Sequence, residues 1–197
     1  MYSILYCKID LNMKNNILYV YGYGSSAKSE TAKLLKSIFK DDNVYCVNYP
    51  QHNIKKSIEL LQNTIKSSDI NIVVASSYGA FVSLFLKNTV KFLFNPCMKP
   101  SVELPKIGVA DKEFLEECKK YEGEMDKIPF ENTVLTYGMF SNKDELLGIQ
   151  YYEMFKHYGT PVPINTCGHR VNEETLKFLK ENMPIMMKNI KTDWMKL

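Results

Sequence analysis

The chain has 197 residues, 45% hydrophobic and 24% charged, which suits a single globular domain over 1–197 with a sizeable core. Its 25 basic and 22 acidic residues leave a net charge of +3, too small an excess to call for nucleic acid or an anionic membrane as a partner. No apolar run approaches the roughly 20 residues of a membrane helix, and five widely spaced cysteines with no C-x-x-C argue against a disulfide framework or a metal site.

The N-terminal "YSILYCKID" reads either as an added edge strand or as an extension (1–12) ahead of an internal start at Met13. Lys8 and Asp10 interrupt the apolar region a signal peptide requires, so a cytoplasmic protein is expected. "NILYVY" (16–21) is then a strand by length and β-branching, followed by a helical pattern through residue 39 with Ala32, Leu35 and Ile38 at helical spacing. "NVYCVNYP" (43–50) is a second strand stopped by Pro50, and residues 54–67 form an amphipathic helix. "INIVVAS" (70–76) is uninterrupted and apolar, the mark of a strand buried on both faces. A helix from Gly79, the strand "VKFLFNP" and, later, the strand "TVLTY" (133–137) follow. The helical "IQYYEMFKHYG", the short strand "PVPIN" and a long helix from Asn172 complete the order. Such alternation implies an α/β sandwich with a mostly parallel sheet, its functional loops at the carboxyl ends of the strands. Residues 97–129, with three prolines and a charged helical middle, form an excursion placed to cover those ends.

The stretch "VVASSYGAF" carries the most chemistry. A buried strand runs into Ala75-Ser76-Ser77-Tyr78-Gly79 and a helix starts at once, the small-x-Ser-x-small pattern of a nucleophile elbow. Ser77 is the candidate nucleophile; Ser76 is the worse one, because Tyr78 stands where its second small residue should be, and both serines also suit a helix cap. Of the three histidines, His52 and His157 are better explained structurally, whereas His169 lies on the loop after the last strand and can face a serine at a neighbouring strand end. "MFSNKDELLG" after the fifth strand offers Asp144, with Glu145 in reserve, to hold the imidazole. The order Ser77, Asp144, His169 is that of the α/β-hydrolase fold.

"YGYGSSAKS" (21–29) admits three readings. A phosphate loop would need glycine at Ala27, and a dinucleotide loop would need an acid at the end of the second strand, where Asp41 and Asp42 instead precede it. An oxyanion loop needs only the position after the first strand and backbone amides turned inward, with the N–H groups of Tyr23 and Tyr78 as donors. That reading requires no cofactor.

With these pieces in view, the chain resembles the YqiA-like esterases of the α/β-hydrolase superfamily from about Asn16 to Met183. "YGYGSSAKS", "YP" at 49–50, "SSYGAF", "FNPCMKPSVEL", "KDELL" and "CGHRV" carry the resemblance, and the Asn-Pro…Lys-Pro piece is the most distinctive. It differs in Tyr21 for a histidine, Ala75 for a glycine, the inserted "MFSN", and one residue fewer between Gly168 and His169. The resemblance implies hydrolysis of acyl esters or acyl-CoA thioesters by a compact enzyme with little lid. Met98, Phe114, Tyr121 and Met125 around the excursion have the composition of an acyl pocket but are better read as core. A non-catalytic relative binding a ligand or protein is the rival reading, with a nucleotide-dependent kinase a weaker third.

Overall fold

Three central strands that bury nearly every residue give the chain its frame. In the computed structural model, which describes residues 14–194, six strands form one parallel sheet. They are β1 (Asn16–Val20), β2 (Asn43–Cys46), β3 (Ile72–Ser76), β4 (Val90–Phe94), β5 (Thr136–Ser141) and β6 (Thr160–Ile164), in the order β2-β1-β3-β4-β5-β6. The proposed N-terminal edge strand lies outside the described residues. β6 closes one edge as Thr-Pro-Val-Pro-Ile, and two prolines without N–H groups suit a strand that pairs on one side only.

The helices follow from their caps and apolar spacing. Ser29 accepts from the N–H of Ala32 to start α1 (Glu30–Ile38), and Asn53 accepts from Lys56 to start α2 (Ile54–Ser67). α3 (Ser77–Ser83) is buried along its length. Asn172 caps the long α8 (Glu173–Trp194) by accepting the N–H of Thr175. α1 packs against α8, and α2 against α3, the pairing that right-handed crossovers of a parallel sheet favour. Among the described residues, no helix is long and apolar enough to cross a membrane.

The excursion contains α4 (Pro100–Lys106), α5 (Lys112–Glu124) and a 3-10 turn at Met125–Lys127. Its hold on the rest is specific: the Glu117 carboxylate accepts the N–H groups of Ile54 and Lys55 at 3.0 and 3.2 Å, capping α2 from outside.

Several boundaries differ from the sequence reading. The second strand ends at Cys46, four residues short of Pro50. The fifth strand starts at Thr136 and runs to Ser141, because residues 130–134 form the short helix α6 (Phe130–Val134) behind Pro129. Gly138, which follows the strand as read from sequence, lies inside it. A Cβ there would fall 2.4 Å from the ring of Phe155, so glycine makes room for an aromatic that covers the strand. The helical "IQYYEMFKHYG" contracts to α7 (Tyr152–Phe155), and α3 begins two residues earlier than expected, at Ser77 itself.

Candidate active site

β3 carries a buried run from Ile72 to Ala75 to the carboxyl edge of the sheet, and the chain turns directly into α3. The turn is made at Ser77, whose φ of 52° lies in the left-handed region that non-glycine residues rarely adopt. A strained residue at a strand-to-helix junction lifts its side chain clear of the sheet. Gly79 is required by close approach: a Cβ there would sit 2.2 Å from the carbonyl oxygen of Tyr21 and 2.5 Å from that of Val20. Glycine therefore lets α3 start against the end of β1. Ala75 is fully buried between Val20 and Leu93 of the flanking strands.

Ser77 Oγ lies 3.0 Å from Nε2 of His169. The other ring nitrogen, Nδ1, lies 3.0 Å from each carboxylate oxygen of Asp144. The Asp144 side chain is fully buried and the imidazole 13% exposed. Oδ1 of Asp144 also accepts the N–H groups of Leu146 and Leu147 at 2.9 and 3.0 Å. Burial works to raise the carboxyl pKa, but the hydrogen bond from His169 and those from Leu147 and Leu146 outweigh it and hold the group below its ordinary value. A carboxylate accepts only, so the network assigns the ring proton to Nδ1 and leaves Nε2 as acceptor for the serine hydroxyl.

Glu145, the reserve acid, has another task. Its Oε2 accepts the backbone N–H of His169 at 2.8 Å, and that bond lowers its pKa. His52 and His157 do not bond to Ser77: His52 meets the hydroxyl of Tyr23 at 3.1 Å, and His157 lies edge-on to Tyr158.

The loop after β1 passes directly over the serine, close enough that a Cβ on Gly22 would come within 3.2 Å of that of Ser77. Tyr23 sits in this loop with its ring stacked on Phe114 of α5 (5.8 Å) and edge-on to Tyr78 (5.9 Å). Tyr78 is the second residue of α3, where an N–H has no acceptor within the helix. The dinucleotide reading of this loop fails on placement, since Asp42 bonds Asn15 at the opposite end of β1.

Sequence reading passed over Gln51. Its Oε1 accepts the N–H of Gly24 at 2.9 Å, while Nε2 donates to the carbonyls of Gly22 at 3.2 Å and Ser25 at 3.3 Å, so one amide templates the whole loop. Its main-chain carbonyl also accepts the hydroxyl of Tyr78 at 2.8 Å. The position just after "YP" was the only signal, and it says nothing of direction.

A cavity of about 130 Å³ opens beside Ser77 and His169, walled by Cys97, Leu104 and Ile107 of the excursion and by Leu146 and Leu147 of the acid loop. The residues singled out around the excursion are core, the better of their two readings. Met98, Phe114 and Met125 are buried in the core, and Tyr121 packs edge-on to Phe85.

The sequence matches the uncharacterised protein family UPF0227 over residues 16–175. No curated protein sequence matches it. Among solved structures, a monoacylglycerol lipase of Paleococcus ferrophilus aligns with a TM-score of 0.64 at 10% identity, over 88% of this chain and 94% of that one. Est1E of Butyrivibrio proteoclasticus, solved with ferulic acid, gives 0.59 at 9% identity over 92% and 88%. Acyl-protein thioesterase 2 of Zea mays gives 0.54 at 11% identity over 88% and 94%. The shared property at these identities is the α/β-hydrolase fold.

Proposed function

The chain belongs to the UPF0227 family, and from that premise we propose that it is a serine hydrolase of carboxylic esters or acyl thioesters. The observation that carries this reading is the unbroken line of contacts from Ser77 Oγ through both nitrogens of His169 to the buried Asp144 carboxylate. The solved lipase and thioesterase of the same fold support it by analogy.

In this reading Nε2 of His169 takes the proton as Ser77 Oγ attacks the acyl carbon. The carbonyl oxygen becomes an oxyanion facing the N–H groups of Tyr23 and Tyr78, each such donor contributing about 10²–10³ in rate. Collapse breaks the bond to the alcohol or thiol, which leaves with the proton that His169 returns. Water then repeats the attack on the acyl-enzyme, gives its proton to His169, and the carboxylic acid departs as Ser77 regains its hydroxyl. Asp144 stays ionised throughout and stabilises the imidazolium. The chemistry calls for no metal or cofactor. The substrate is a small acyl ester or acyl-CoA whose group beside Ser77 meets a wall in which Leu104, Ile107, Leu146 and Leu147 stand with Glu103, Lys106 and Glu145.

Turnover of nitrophenyl esters of graded acyl length tests the reading. Wild type is expected to release nitrophenolate in a burst and then steadily. Ser77→Ala should do neither while melting close to wild type; equal turnover by both would refute the assignment.

A further inference from the structure

β4 ends at Phe94, and the next residue, Asn95, is only 2% exposed with a φ of 42°. Its Nδ2 donates to the carbonyls of Gly168 and His169, at 3.0 and 3.2 Å, and its Oδ1 accepts the N–H of Ser141 at 2.8 Å. Its own N–H donates to Met139 O at 2.8 Å. Both amide protons and the acceptor are therefore used, and one buried side chain joins the last residue of β5 to the loop that bears the imidazole. Asp144 lies three residues beyond Ser141, and Ser77 begins the helix after the neighbouring strand β3. Two residues past Asn95, the N–H of Cys97 donates to the carbonyl of Ser77 at 3.2 Å.

We propose that Asn95 is a positioning residue, fixing the His169 loop against the ends of β4 and β5 so that the imidazole meets Asp144 and Ser77 together. The residue type follows from two demands made at once. The left-handed backbone favours glycine or asparagine, with aspartate next, and two partly buried carbonyls take two donor protons. Glycine has no side-chain amide. Aspartate keeps the acceptor for Ser141 but turns a carboxylate oxygen toward the two carbonyls. The geometric part stands on the contacts alone; its catalytic consequence rests on the hydrolase reading above.

The test uses Asn95→Asp, nearly isosteric, and Asn95→Gly, which suits the backbone and is read if the first fails to fold. The ¹⁵N shifts of the His169 ring report whether Nδ1 carries the proton, with or without activity. Wild type should show the Nδ1-protonated form and the variants a mixture nearer that of free imidazole. In nitrophenyl ester turnover, kcat should fall about tenfold to a hundredfold, as a small misplacement of a reacting group does, with KM little changed. Ring shifts in both folded variants identical to wild type would overturn the proposal, whatever their rates. Altered ring shifts in variants of a wild type that turns over no ester would keep the positioning role and remove the hydrolase reading.

Discussion

Ser77, His169 and Asp144 come from three loops distant in sequence, and each is held by something other than its partners in the relay. Ser77 owes its place to backbone strain at φ 52°, Asp144 to the N–H groups of Leu146 and Leu147, and the His169 backbone to Glu145. Replacing Asp144 by Asn keeps the shape but can present an N–H toward Nδ1, reversing the tautomer. A loss of about 10⁴ in kcat is expected by analogy with other triads, and a fall of less than tenfold would remove Asp144 from the relay. The same carboxylate sets an acid limit to stability. Its folded pKa lies below the ordinary 3.8, so its contribution is present above that value and lost as pH falls through the lower one. Melts between pH 5 and pH 2 should show wild type losing its advantage over Asp144→Asn in that window. A constant difference would mean that the carboxyl is not perturbed by folding.

At the scale of elements, the tightest constraint is the start of α3 against the end of β1. Gly79→Ala would push a methyl into the main chain at Tyr21, where no flexible side chain can yield. Overpacking of this kind costs about 1–3 kcal/mol, so the urea midpoint should fall; an unchanged midpoint would show that the elbow relaxes freely. The elbow was legible because tight turns restrict residue size in a way that a sequence displays. β5 was placed too early for the opposite reason: "TVLTY" has strand composition by itself, and only the ring of Phe155 packed over Gly138 explains a glycine inside the strand. Realigned, β5 contains "MFS", the segment that had looked like an insertion before the acid. Gln51 and Asn95 were invisible as functional residues because a polar side chain near a loop reveals neither burial nor direction. The excursion was seen as a cover for the strand ends, yet its contacts with the site run through Leu104, Ile107 and Phe114 in ways its composition does not encode.

Across the whole molecule, the order of buried strands determined the reading, since doubly covered parallel strands have few alternatives in sequence. One buried residue breaks that pattern. Lys91 sits on β4 opposite Val73 and Thr136, fully buried, and among the described residues its Nζ has no hydrogen-bond partner. Burial brings its pKa from 10.5 down to about 7. Between those values the unfolded chain binds more protons, so stability should rise with pH across that window and level off above it. Lys91→Met removes both the unpartnered amine and the slope, with an expected gain of about 1–3 kcal/mol at neutral pH. Parallel pH profiles for the two proteins would show that the amine finds a partner in solution. The site itself lies at the other end of the sheet, and its central claim is that a serine hydroxyl at the mouth of β3 is activated by the imidazole beside it. Labelling with a fluorophosphonate followed by peptide mapping reads this directly. A single adduct on the peptide containing Ser77 is expected, absent in Ser77→Ala and strongly slowed in His169→Ala. Folded wild type that acquires no adduct, or acquires it at another residue, would contradict the account.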